Sequence, residues 1–431
     1  MSTPTDPPPS EIPPAVDVDA ALGTAGGAPI IAPRTLKLWL MMFLEFFIWG
    51  AWLPLIFGYL PSLGFSALQQ SIILNAFPVS AILAMFFSNQ FADRNFAAER
   101  FMAFSHLVGG LAILGCGFVT DFWSFCTLMW IHCLLYVPTI SIANSIAFAA
   151  MKDATREFGL VRMGGTIGWI AASWPFLFLL GDNVGPEVTY IVAGIASLIL
   201  AAFSLTLPHT PPNRQAGAEL AWVTALKTLA KPAILVLWLV TMVDATVHQW
   251  YFNWTGRFLE SIGIAQNWVM PVMSIGQIAE ILTMLVLGYV LKTLGWKTTL
   301  IFGILGHAVR FAVFAFLPYE VPVILVNVLH GVCYAFFFAT VYIFVDEFLP
   351  KDVRASTQGI FNLMILGVGP LVANSLGPYL HELFTTTDPV TEQATTNYRG
   401  LFLIPCVTAL CAAMALWLFF WPPQKETQGE G

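Results

Sequence analysis

From Arg34 to Trp421 the chain reads as a succession of long apolar runs separated by short polar turns. An α-helix needs roughly 20 mostly apolar residues to cross the hydrocarbon core of a bilayer. Segmented on that length, the pattern predicts helices over 36–60, 68–90, 101–119, 122–149, 158–180, 188–207, 233–256, 266–290, 298–317, 321–346, 355–380 and 399–421. That is twelve spans. Between the sixth and seventh runs the segment PHTPPNRQAGAELAWVTALKTLAKP, which with the loop near 381–398 is one of the two longest polar interruptions, divides the spans six and six. The expected organisation is a tail (1–35), a six-helix bundle (36–207), a linker (208–232), a second six-helix bundle (233–421) and a tail (422–431).

Composition supports this reading. Of 431 residues, 58% are hydrophobic and 10% charged, with a mean hydropathy of +0.76. Soluble domains carry about 25% charged residues, which excludes an ordinary soluble protein. With both termini on one side, that side collects fifteen Lys and Arg residues and the other only Arg257 and Arg399, while Arg310 falls inside a run. Basic loops stay cytoplasmic, so both termini are expected there. Residues 1–33 have no basic residue and no apolar core, which argues against a signal peptide and for a disordered tail. A net charge of -7 gives no reason to expect nucleic acid as a partner.

The six cysteines all fall within predicted spans without CxxC spacing, so buried thiols are expected in place of disulfides or metal ligands. His106, His132, His307 and His330 are scattered without ligand spacing, and HExxH, P-loop, GxSxG and dinucleotide fingerprints are all missing. No cofactor, metal or enzymatic chemistry is expected.

Against this apolar background three carboxylates stand out: Glu45, Asp244 and Glu280. An ionisable group at membrane depth costs several kcal/mol and marks a functional site by default. Gln277 and Glu280, three apart, share one side of their helix. An amide offers donor and acceptor together, which suits the edge of a nucleobase or another amide-like solute. Glu280 can accept from sugar hydroxyls or take up a proton. On 158–180, Arg162, Thr166, Trp169 and Ser173 are spaced for one face. Arg162 serves there either as a cytoplasmic anchor or as the wall of a polar cavity, and Trp169 offers a flat ring for stacking. The seventh run carries VDATVHQWYFNWTGRF. Gln249 and Asn253 share one of its faces, with Asp244 and His248 on another. His248 reads better as a satisfied hydrogen-bonding residue than as a proton carrier. Glu45, Trp49 and Trp52 form a stripe on the first run, Asn144 is a further cavity candidate beyond a kink at Pro138, and Arg310 is suited to neutralising an acid.

The two halves echo each other weakly. FADRNFAAERFM and YVLKTLGWKTTLI are both short basic turns, and VRMGGTIG and VRASTQGI open corresponding helices. Parallel six-helix repeats around a midplane site are the architecture of major facilitator transporters. The Asp93–Arg94 turn is similar to that superfamily's loop signature, with the usual glycines and second basic pair thin. The stretches FLEFFIWGAW, YVPTISIANSIAF, VRMGGTIGW, the Gln249 region, MSIGQIAE, VRFAVFAF and VRASTQGIF occur in an order that resembles the nucleoside:proton symporter family of this superfamily, over about 37–420.

The resemblance implies a bacterial inner-membrane permease that imports nucleosides with a proton, and the two-bundle architecture is expected to work by alternating access. It implies that Arg162, Thr166, Trp169, Gln249, Gln277 and Glu280 line the site, with Asn253 and Asn144 as further candidates from the residue pattern and Glu45, Glu280 or Asp244 for proton coupling. The expected partners are a nucleoside, a proton and the lipid bilayer, and the expected working unit is a monomer. Three departures bear on this: Glu45 stands where the family generally has Gln, Ala335 where it commonly has Asp, and Phe252 where it has a second amide, with Asn253 following. Two alternatives stay open: a facilitator for another polar solute such as a sugar, and a transport-dead nucleoside receptor of the same fold.

Overall fold

The computed structural model describes residues 32–85, 95–152, 154–181, 183–212, 226–349, 351–391 and 393–422. The expected terminal tails, most of the linker and the Asp93–Arg94 turn lie outside these residues. The first half of the chain supplies α1 (Pro33–Ser62), α2 (Ala67–Leu74), α3 (Ala76–Leu83), α4 (Ala98–Cys116), α5 (Phe122–Ala150), α6 (Ala154–Ser173), α7 (Phe176–Leu179) and α8 (Val188–Ser204). The second half supplies α9 (Pro232–Ser261), α10 (Gln266–Phe316), α11 (Glu320–Phe348), α12 (Ser356–Leu383) and α13 (Tyr398–Phe419). A short antiparallel hairpin, β1 (Thr385–Thr387) with β2 (Ala394–Thr396), precedes α13.

Among the described residues, seven helices are long and apolar enough to cross a membrane: α1, α5 and α9 to α13. With 51 residues, α10 would be about 75 Å long if straight, more than twice the roughly 30 Å hydrocarbon core. Gly295, at φ 74°, breaks it. Only glycine adopts that backbone readily, so the loop expected at 291–297 is a single glycine corner. Asn75 separates α2 from α3, and Trp174–Pro175 separate α6 from α7. The cysteines are free, and all but Cys411 are buried.

Burial is inverted relative to a soluble protein. Leu282, Leu285, Tyr289, Leu111, Ile199 and Trp417 are exposed, whereas Glu45, Asp244, His307 and Arg310 are fully buried. Glycine lets helices approach closely, as membrane packing favours. A Cβ at Gly164 would lie 2.5 Å from the Trp39 carbonyl oxygen and one at Gly168 2.1 Å from that of Phe43, so α6 rides directly on the α1 backbone. In the second half a Cβ at Gly331 would lie 2.2 Å from the Glu280 backbone nitrogen, which locks α11 to α10.

Polar seams join the two halves of the chain. The Asn75 amide donates to Ser375 Oγ (2.9 Å) and the Asn374 amide to the Leu74 carbonyl (3.0 Å), tying α2 to α12. Asn267 donates to the Leu177 carbonyl (3.1 Å). Arg257 reaches from α9 to the Phe57 carbonyl through Nε at 2.9 Å and through Nη2, and its Nη1 lies 3.2 Å from His381.

Candidate functional site

The glycine-mediated contact of α6 with α1 fixes one wall of the central region. Trp169 on α6 meets Trp49 at 5.1 Å and Phe252 at 6.3 Å, both near right angles, and Trp49 stacks on Phe77 at 4.6 Å. Trp169 is thus where aromatic groups of both halves meet, and it remains half-buried. Thr166 is half-buried one turn away. Phe252, standing where the resemblance places an amide, supplies an aromatic edge to this cluster.

Behind Phe252 the amides gather on α9 and α12. The Gln249 amide nitrogen donates to Asn253 Oδ1 (3.2 Å) and Asn374 Oδ1 (3.3 Å), and Asn253 donates to the Ala373 carbonyl (3.2 Å). Gly377 makes room, since a Cβ there would sit 2.5 Å from Asn253 Nδ2. Asn374 was invisible to sequence reasoning, because a single Asn in an apolar run carries no spacing signal.

On α10, Gln277 is buried with its amide 3.3 Å from His330 Nε2. Glu280, half-buried, makes no hydrogen bond or ion pair among the described residues. Arg162 lies with its guanidinium 4.2 Å over the Phe46 ring, and its charge reaches Glu280 and Tyr334 in the other half. Asn144 donates to the Ile140 carbonyl of its own helix (3.3 Å) and joins none of these groups.

Glu45 does not face this region. Its Oε1 accepts from Thr139 Oγ1 and its Oε2 pairs with His106 Nε2, each at 2.8 Å. Tyr136 donates to its backbone carbonyl (2.6 Å), and His106 Nδ1 lies 3.0 Å from Ser197 Oγ. Both carboxylate oxygens are therefore paired inside α1, α4, α5 and α8, away from Gln277 and Glu280. Glu45, expected as a candidate for proton coupling, thus stands apart from the amides among the described residues. A glutamate flanked by apolar turns points wherever a partner waits, and the partner is His106 on a distant helix.

Asp244 is also fully buried, but not beside His248 as its spacing suggested. Its nearest partner is His307, with Nε2 3.7 Å from Oδ2, beyond hydrogen-bond reach. Arg310 Nη1 donates to His330 Nδ1 (2.8 Å) and Nη2 to His307 Nδ1 (2.9 Å), with the guanidinium 4.1 Å over the Tyr251 ring. His248 packs against the rings of His330 (4.7 Å) and His307 (5.5 Å). His307 and His330, which looked scattered, thus form one cluster with His248 and Arg310. The i, i+3 spacing of His307 and Arg310 was its one sequence signal.

Residues 33–425 match the family model described as nucleoside H+ symporter. The chain belongs to the nucleoside H+ symporter family. This symporter-family chain is 32% identical over 409 residues to the putative nucleoside transporter YegT of Escherichia coli (strain K12), covering 91% of the chain and 95% of YegT. It is 28% identical over 375 residues to the xanthosine permease of the same strain, covering 81% and 88%. The crystal structure of the nucleoside transporter NupG aligns with a TM-score of 0.78 at 24% identity, over 90% of this chain and 99% of that one. The symporter-family chain therefore has the major facilitator fold, and these relatives are transporters, not enzymes.

Proposed function

We propose that this protein imports nucleosides together with protons across a bacterial inner membrane. The observation that carries this reading is the convergence, from both halves of the chain, of an aromatic wall (Trp169, Phe252), amides (Gln249, Gln277, Asn253) and a half-buried acid faced by a cation (Glu280, Arg162). The nucleobase pairs with Gln249 and Gln277 and stacks on Trp169, while the ribose hydroxyls approach Glu280 and Arg162. The names of the relatives agree with this substrate class.

In this reading twelve spans form two six-helix bundles (36–207 and 233–421), joined by the 208–232 linker and rocking about the central site. Both termini are cytoplasmic, and the working unit is a monomer. The seams made by Arg257 with Phe57 and by Asn374 with Leu74 then close the periplasmic side, leaving the site to open inward. A membrane potential supplies about 2.3 kcal/mol per positive charge per 100 mV for inward movement, which makes uptake with a proton favourable.

Reconstituted protein tests this. Radiolabelled uridine should enter proteoliposomes, accumulate under an imposed inward proton gradient, and be displaced by other nucleosides but not by hexoses. Displacement by hexoses, or no uridine uptake, would end the assignment. The rival reading as a receptor that binds without transporting draws on Ala335, a buried methyl where the resemblance implies an acid. Binding without counterflow would identify it.

A further inference from the structure

Of the fully buried acids among the described residues, one has no hydrogen bond at all. Asp244 is fully buried with both carboxylate oxygens unpartnered, and His307 Nε2, 3.7 Å away, is unpartnered too. Glu45 by contrast has both oxygens occupied. We infer that Asp244 carries the coupling proton, and that Arg310, through His307 and His330, links its charge state to Gln277 in the substrate site. The inference rests on the symport reading and names the group that performs it.

Proton positions in the cluster follow from donor and acceptor inventories. A guanidinium only donates. Arg310 bonds Nδ1 of both His307 and His330, so in each neutral ring the proton resides on Nε2. The Nε2–H of His307 therefore points toward Asp244, and that of His330 toward Gln277. A donor at His330 requires Gln277 to present its carbonyl oxygen, which a half-turn of the amide provides. The Gln277 NH2 is then left as a donor for a substrate carbonyl, at the position of the one Gln277 polar atom that has no partner.

The groups acting on Asp244 are His307 and Arg310 on α10 and Cys333 on α11, with His248 and Tyr251 of its own helix and His330 of α11 packed against His307 and Arg310. Among the described residues Arg310 is the charged group that acts on it. An ionised, unbonded carboxylate in this interior is heavily penalised. Ionisation therefore draws His307 inward from 3.7 Å toward hydrogen-bond distance. His307 shares Arg310 with His330, so the movement reaches Gln277. Protonation from the periplasmic side releases the pull, and the proton leaves to cytoplasmic water when the site opens there.

The test uses the full-length protein in proteoliposomes, with uridine as substrate and a pH-sensitive dye inside. The Asp244→Asn variant should retain uridine counterflow but lose gradient-driven accumulation and uridine-dependent internal acidification, down to the level of protein-free liposomes. The Asp244→Glu variant, which restores a titratable group, should regain both with a displaced pH midpoint. His330→Phe, which cuts the link, should raise the uridine KM and lower the proton-to-uridine ratio. Accumulation by Asp244→Asn with the wild-type pH profile overturns the assignment of the proton, and an unchanged KM in His330→Phe overturns the link to Gln277. If Asp244→Asn lacks counterflow and Asp244→Glu restores counterflow without acidification, Asp244 is structural and the inference falls. Absence of uridine counterflow by the wild-type protein is a separate result, which refutes the nucleoside reading instead.

Discussion

Gly331→Ala is the sharpest structural probe of the site. The added Cβ would lie 2.2 Å from the Glu280 nitrogen, 2.4 Å from the Ala279 carbonyl carbon and 2.7 Å from the Glu280 Cα. All three atoms are backbone, so no side-chain rotation relieves the clash. Restoring ordinary contact at 3.4 Å requires α10 and α11 to part by 3.4 − 2.2 = 1.2 Å. Overpacking of this kind costs about 1–3 kcal/mol. The same displacement carries Glu280 away from the ribose position and loosens Gln277 from His330. Losing a hydrogen bond to a charged group is worth about 1.5–3 kcal/mol, so the uridine Kd should rise about 10- to 150-fold. Gly288→Ala on α10 is the control: nothing lies within 4 Å of its Cβ, and alanine is favoured over glycine in a helix by up to about 1 kcal/mol. Thermal unfolding in detergent and calorimetric uridine titration read both effects. A Gly331→Ala protein with wild-type melting and affinity, or a Gly288→Ala protein equally impaired, would refute the reasoning.

Other outcomes follow from the same geometry. Gln277→Ala and Glu280→Ala should each abolish uridine uptake in cells while surface-accessible labelling shows normal delivery to the membrane. Trp169→Phe should retain binding, whereas Trp169→Ala should weaken it by about 1–3 kcal/mol, the usual worth of an aromatic stacked on a base; equal Kd values for the two variants count against stacking. Glu45→Ala leaves His106 and Thr139 without their buried partner and should lower stability by about 3–5 kcal/mol, whereas Glu45→Gln, which keeps an acceptor, should melt much closer to wild type. Arg257→Ala frees the Phe57 carbonyl, so spin labels placed near Gly64 and Gly263 should report a broader and longer distance distribution, and an unchanged distribution would deny Arg257 a role in the seam.

The family and the seven long apolar helices were legible because each depends on local sequence: apolar length and short motifs in order. The Gln249–Asn253 pair was legible for the same reason, since helical spacing alone puts its members on one face. Partners on other helices were not. Glu45 and Asp244 look alike in sequence, each a lone acid in an apolar run. The structure separates them by what stands opposite: a complete set of donors for Glu45, and a histidine just out of reach for Asp244. The glycine corner at Gly295 and the breaks at Asn75 and Trp174 escaped because hydropathy registers length and not backbone direction.

The bond between Glu45 and His106 also bears on how the polypeptide is made. Glu45 emerges from the ribosome well before His106, two helices ahead of its partner. A lone acid at the centre of a nascent segment costs about 2.5–3.5 kcal/mol to release into lipid. That cost is lifted when α4 arrives and His106 pairs with the acid. Biogenesis of the first bundle is thus cooperative across its early helices, and a glycosylation-mapping series of truncated chains should show the first segment integrating fully only once residue 106 has been synthesised.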